Sequence, residues 1–157
     1  MKTIQLTRGQ EAIVDDDDFD YLSQFKWQCD GDGYAVRGFQ RHKKIFMHRV
    51  VNCTPPGFET DHINRNKLDN RKCNLRTCTN TENQVNKTPP KNNTSGYKGV
   101  CFSKKKGMWQ AYVSVNHSVK WLGYFDNPID AAKAYDKKAL ETYGEVVYLN
   151  FPNEVIQ

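Results

Sequence analysis

The chain has 157 residues, 38% of them apolar and 26% charged, with a formal net charge of +5; this length admits one domain or two small ones with modest cores. No run of eighteen apolar residues occurs and Met1-Lys2-Thr3 leads into no hydrophobic segment, so neither a membrane span nor classical secretion is expected. Five cysteines, Cys29, Cys53, Cys73, Cys78 and Cys101, are odd in number and form no CxxC pair. They predict free thiols in a reducing cytoplasm, and their spacing suits no common zinc site.

In chain order, "TIQLTRGQEAIVD" alternates around a turn at Arg8-Gly9-Gln10 and predicts a hairpin. Asp15 to Asp18 read as a solvated, helix-capping turn rather than a cation site, followed by a short helix over "FDYLSQFKW". "GYAVRGFQRHKKIFMHRVV" gives two further strand-like runs. After "PPGFE" comes "DHINRNKLDNRKCNLR", where four asparagines fall within twelve residues of His62. Asparagine favours turns because its side chain bonds nearby backbone, so a polar loop between two strands is predicted, with "NLRTC" as the second strand. Thr79-Asn80-Thr81-Glu82 fits a capping box at the start of a helix that Pro89 must end.

"KTPPKNNTSG" has no apolar residue and reads as a linker. The expected organisation is therefore a domain over 1–88, a linker over 89–95 and a domain over 96–157. In the second domain "YKGVCFS", "MWQAYVSV" and "VKWLGYF" are strand-like, separated by turns at "KKKG" and "NHS". Asp126-Asn127-Pro128 opens a helix whose Ala132, Tyr135, Ala139 and Tyr143 recur at helical spacing, with Gly144 as its stop. The fold class expected is α+β.

Charge is unevenly spread. Residues 61–108 carry eleven Lys and Arg against three Asp and Glu, whereas 1–60 hold eight against nine and 109–157 four against six. Such a basic block is the electrostatic footprint of a polyanion-binding surface. Within it, strand, loop, strand and helix would set Asp61 and His62 on one strand, Asn74 at the start of its neighbour and Asn83 on the helix. One carboxylate and one amide oxygen suit a hard divalent ion such as Mg2+ or Mn2+, which keeps several waters.

The stretch "DHINRNKLDNRKCNLR" with "TENQVNK" and the upstream "MHRVV" resembles HNH endonucleases of the homing type, which carry the ββα-metal motif, over most of residues 4–87. The resemblance implies that Asp61 and Asn83 bind one divalent metal, Mg2+ or Mn2+, that His62 is the general base, and that Asn74 orients its imidazole. It implies hydrolysis of DNA phosphodiester bonds to 5′-phosphate and 3′-hydroxyl ends. Asn83 departs from the more usual His at its position. His48 is either a DNA contact or a packed core histidine, and Arg65, Lys67, Arg71 and Arg76 are further candidates for DNA contacts.

"YKGVCFSKKKGMWQAYVSV", "KWLGYFDNPIDAAKAYDKKAL" and "YLNFP" resemble the DNA-binding domain of plant ethylene-response factors, also called the APETALA-two domain. That resemblance implies a three-stranded antiparallel sheet packed on one helix and laid in the major groove, with Lys98, Lys104, Lys105, Lys106, Trp109, Lys120 and Trp121 as contacts. Cys101, Tyr112 and Ser114 stand where the plant family has base-reading arginines, so its target sequence does not transfer. The combined expectation is a monomeric, metal-dependent nuclease of the homing or mobile-element type, acting on double-stranded DNA in the cytoplasm of a bacterial or phage-infected cell. The alternative is a sequence-specific DNA-binding regulator with an inactive nuclease module; RNA as substrate ranks lower, since no aromatic single-strand platform stands out.

Overall fold

The computed structural model describes residues 1–39, 43–90, 92–115, 118–144 and 147–152. The protein is α+β, and its compact units are Met1–Asn83 and Gln84–Gln157. No helix among the described residues is long and apolar enough to cross a membrane.

The first unit opens with the expected hairpin, β1 (Lys2–Gln5) antiparallel to β2 (Glu11–Val14). Its turn places Arg8 and Gly9 at positive φ, 87° and 79°. Helix α1 (Asp16–Leu22) begins inside the acidic run, so Asp16, Asp17 and Asp18 lie at the positive end of the helix dipole. Asp15, at the N-cap, makes no side-chain cap and instead accepts from the Lys72 amide at 2.8 Å.

A three-stranded sheet follows, in the order β3 (Gln28–Cys29), β4 (Ala35–Phe39), β5 (Lys43–Phe46). The second strand-like run does not continue to Val51 as the sequence suggested. It stops at Phe46, and Met47–Val51 is a helical turn, α2. Helical winding buries Met47, His48 and Val51 together, which an extended backbone, with its twofold alternation, cannot do.

Strands β6 (Glu59–His62) and β7 (Leu75–Cys78) then pair antiparallel, and α3 (Asn80–Asn86) follows. The capping box is formed: the Thr79 amide donates to Glu82 Oε2 at 2.7 Å and the Glu82 amide to Thr79 Oγ1 at 3.3 Å. The core collects Leu6, Val14, Leu22, Trp27, Met47 and Leu75. Trp27 is 1% exposed and donates its indole N–H to Leu22 O at 2.8 Å, so its bulk is buried without an unpaired donor.

The second unit takes in the end of α3, ahead of the expected boundary at residue 88, because Val85 packs with Val113, Tyr135, Ala139 and Val147. Its sheet has the order β10 (Ser118–Phe125), β9 (Met108–Val115), β8 (Val100–Ser103), all antiparallel. Positions 116 and 117, in the turn expected at "NHS", and Lys91 of the expected linker lie outside the described residues. Helix α4 (Pro128–Tyr143) is capped by Asn127, whose side chain accepts from the Asp130 amide at 2.8 Å. Its Ala131, Ala132 and Ala139, all 0% exposed, let the helix lie close on Val100, Ala111 and Val113. Gly99 adopts φ +74°, and a Cβ there would stand 2.1 Å from the Tyr135 ring and 2.6 Å from Tyr112 O. Only glycine fits at that crossing of helix and sheet.

Candidate active site

The loop between β6 and β7 is built from its amides. Asn66 N donates to Asn64 Oδ1 at 2.8 Å and Leu68 N to Asn66 Oδ1 at 3.1 Å, two successive side-chain-closed turns. The Asn74 side chain spans the loop, accepting from Asn64 N at 2.9 Å and donating to Asp69 O at 2.7 Å. Asp69, 2% exposed, binds Asn64 Nδ2 and the Arg71 guanidinium. Arg71, placed among the DNA contacts from sequence, thus bridges within the loop, and it holds the Asp69 carboxyl below its ordinary range. Backbone bonds from Ile13 N to Leu68 O and from Asn70 N to Ile13 O, both 2.8 Å, fasten the loop to β2.

Register sets the reactive groups. Asp61 lies opposite Arg76 and His62 opposite Leu75. Arg76 donates Nε and Nη2 to Asp61 Oδ2, at 2.9 and 2.5 Å. Arg76 is therefore engaged with the acid rather than presented to solvent, and Asp61 is 7% exposed. Asn83 lies one turn into α3, partly buried, its amide bonded to Thr79 O at 3.0 Å.

His62, 4% exposed, meets Asn70 Oδ1 through Nε2 at 3.2 Å. Asn74, read from sequence as the orienting group, closes the loop through both ends of its amide. Asn70, fully buried, meets the imidazole through its side-chain oxygen. With Asn70 Nδ2 directed to Leu68 O at 3.3 Å, its oxygen faces the imidazole. Nε2 then carries the proton, which leaves the lone pair on Nδ1. Burial pushes the His62 pKa below its ordinary value, although Asn70 and Asp61 pull it upward. The ring is neutral at pH 7.

Around His62 stands an aromatic wall that the sequence did not reveal. His48 lies 5.0 Å from it between centroids, edge to face, and Tyr34 and Phe46 complete the group. His48 is 6% exposed, and its Nδ1 is buried without a hydrogen-bond partner. Of the two readings of His48, packing is the one the burial supports; a groove contact would need exposure. Lys67 lies 4.5 Å above the Tyr34 ring and donates to Asp32 O at 2.7 Å. Arg65 is exposed at φ 64°.

In the second unit, the Lys98 ammonium donates to the carbonyls of Gln84, Val85 and Lys87 at 3.1, 2.6 and 2.5 Å. It closes the end of α3 rather than facing a groove. Trp109 packs with Tyr97, Phe125 and Phe151 against the core of Val100, Ala111, Ala131 and Ala132, whereas Trp121 is 54% exposed. Lys104, Lys105, Lys106 and Lys120 are exposed.

Asp61 and Asn83, the residues read from sequence as metal ligands, bring a carboxylate and an amide oxygen as donors. Among the described residues no group of three or more His, Cys, Asp or Glu side chains could hold a metal. Few, hard donors fit an ion that keeps much of its hydration shell and do not fit a zinc cage.

An acid–His pair thus stands on a β-hairpin that is followed by a capped helix. Residues 42–85 match the family model described as HNH endonuclease. Over 144 residues it is 29% identical to a protein of Acanthamoeba polyphaga mimivirus named an uncharacterized HNH endonuclease, covering 88% of this chain and 73% of that one. It is 43% identical over 60 residues to protein 3.8 of Escherichia phage T7, covering 38% of this chain and 50% of that protein. A 62-residue match at 34% identity to APETALA2-like protein 2 of Oryza sativa subsp. indica covers 40% of this chain but only 14% of the plant protein. No solved structure matches.

Proposed function

We propose that the protein is a metal-dependent DNA endonuclease whose C-terminal unit reads double-stranded DNA. The observation that carries this reading is the Asp61–His62 pair on β6, held by the amide-closed loop and followed by α3, inside the segment that matches the HNH family. Neutral His62 takes the proton of the attacking water; the new P–O bond forms as the bond to the 3′ oxygen breaks, leaving 5′-phosphate and 3′-hydroxyl ends. Asn70 fixes the ring, and Asn74 fixes the loop that carries Asn70. Asp61 and Asn83 would hold a Mg2+ or Mn2+ ion, which when bound stabilises negative charge on the phosphate.

The C-terminal unit, as a DNA reader, would raise the local concentration of the nuclease site near its target. A homing-type or mobile-element nuclease acting in the cytoplasm, as a monomer nicking one strand, is the biological role this reading favours. The Arg76–Asp61 bond favours the second reading, a DNA-binding regulator with an inert nuclease site, because it occupies the carboxylate with a side chain.

Supercoiled plasmid incubated with the full chain separates the two. Conversion to nicked or linear DNA in Mg2+ or Mn2+, abolished by EDTA and by Asp61→Ala, supports the nuclease. Retardation without conversion supports the regulator.

A further inference from the structure

The outer face of the β8–β10 sheet carries a chemistry of its own. On β9, Ala111 and Val113 are buried against α4, so Gln110, Tyr112 and Ser114 face the other way. Gln110 lies opposite Cys101 on β8 and Tyr124 on β10, Tyr112 opposite Trp121, and Ser114 opposite Val119. Side chains opposite one another share a face. These three rows contain no Lys, Arg, Asp or Glu, while Trp121 and Tyr124 stand exposed with their rings 5.3 Å apart.

Gln110 is central in this face and its amide is pre-set. Tyr112 OH donates to Gln110 Oε1 at 2.8 Å, and Gln110 Nε2 donates to Cys101 Sγ at 3.5 Å. Those two bonds hold the plane of the amide in place. Each end keeps capacity, since the NH2 has a second hydrogen and the oxygen a second lone pair. One donor beside one acceptor complements the N7 acceptor and N6–H donor that adenine presents in the major groove. Val119 and Trp121 offer apolar contact for a thymine methyl group, and no guanidinium on the face can fork onto guanine. Lys104, Lys105 and Lys106, exposed in the turn between β8 and β9, supply the charge that complements phosphate.

We infer that Gln110 is the adenine-reading, specificity-determining residue of the C-terminal unit, oriented by Tyr112 and Cys101. The inference rests on the proposed binding of duplex DNA by that unit.

The test selects binding sites from random duplexes with the full chain carrying His62→Ala, so that bound DNA survives. An adenine is expected at one enriched position, and changing that A·T pair to G·C should weaken binding at least about fivefold. Adding Gln110→Ala should remove the preference there and leave the other positions. Gln110→Glu, nearly the same in shape, should move it to cytosine, and Gln110→Arg to guanine. An unchanged selected sequence in all three variants overturns the inference while leaving the DNA-reading unit in place. Failure to retain any duplex overturns that reading as well.

Discussion

The rings of His48 and His62 stand edge to face, 5.0 Å apart, and both are buried. One is the candidate base; the other belongs to a helical turn that the sequence disguised as a strand. His48 makes no hydrogen bond through Nδ1, and burial, with the neighbouring His62 and Arg49, lowers its pKa to about 3.

This sets an acid limit on the first unit. Because the folded pKa lies below the unfolded value of about 6.5, the unfolded chain takes up the proton first. The neutral-pH stability is therefore intact above pH 6.5 and falls as the pH drops toward 3, by up to about 1.4 kcal/mol per pH unit from His48. Denaturant unfolding of wild type and His48→Phe across this range should show a shallower slope in the variant. Equal slopes would mean that His48 does not remain neutral in the fold.

Asn70 and Asn74 should separate by readout. Asn70→Ala removes the oxygen that faces His62, so cleavage should drop at least about tenfold, about 1.4 kcal/mol in barrier, with DNA retention unchanged. Asn74→Ala opens the loop between Asn64 and Asp69 and leaves buried backbone groups unpaired, so its main effect should be a loss of about 1–3 kcal/mol in stability. Thermal melts and plasmid nicking on both variants distinguish them.

If Asp61 binds the proposed divalent cation, Arg76 must compete with it for the carboxylate. Arg76→Gln leaves a largely buried carboxylate without its guanidinium, which should destabilise the metal-free protein. Binding of an ion to the folded state then restores stability by mass action. The melting temperature of Arg76→Gln should rise more on adding Mn2+ than that of wild type. No such rise would argue against Asp61 as a metal ligand.

Lys98 tests a structural role against an electrostatic one. Lys98→Met removes three bonds from a charged donor at the end of α3, with an expected loss of about 2–4 kcal/mol from the second unit. The salt dependence of DNA binding should keep its slope, because no phosphate contact is lost. Lys105→Met should do the reverse, sparing stability and flattening the slope.

What the sequence disclosed was what local chemistry decides. The hairpin at Arg8-Gly9, the Thr79–Glu82 capping box and the Asn127 cap each depend on residues within a few positions of one another, and all three are present. Met47–Val51 reads as extended because a run of five residues ending in two β-branched valines is too short to show a helical period; burial of three of the five decides their winding. The place of Asn70 beside His62 was hidden because several asparagines in one loop look alike until the loop closes on β2. Likewise, Trp109 and Trp121 fall on opposite faces of one sheet through strand register, with an irregularity between Trp121 and Gly123, which no composition reports.

The most direct test of the central claim is the nicking rate of His62→Ala against wild type, on supercoiled plasmid in Mg2+ or Mn2+, with both proteins purified identically and matched in melting behaviour. Loss of the general base should slow cleavage by about 10²- to 10⁴-fold while gel retardation persists. Equal cleavage by the variant would contradict the assignment of His62 and, with it, the reading of the amide-closed loop as a catalytic scaffold.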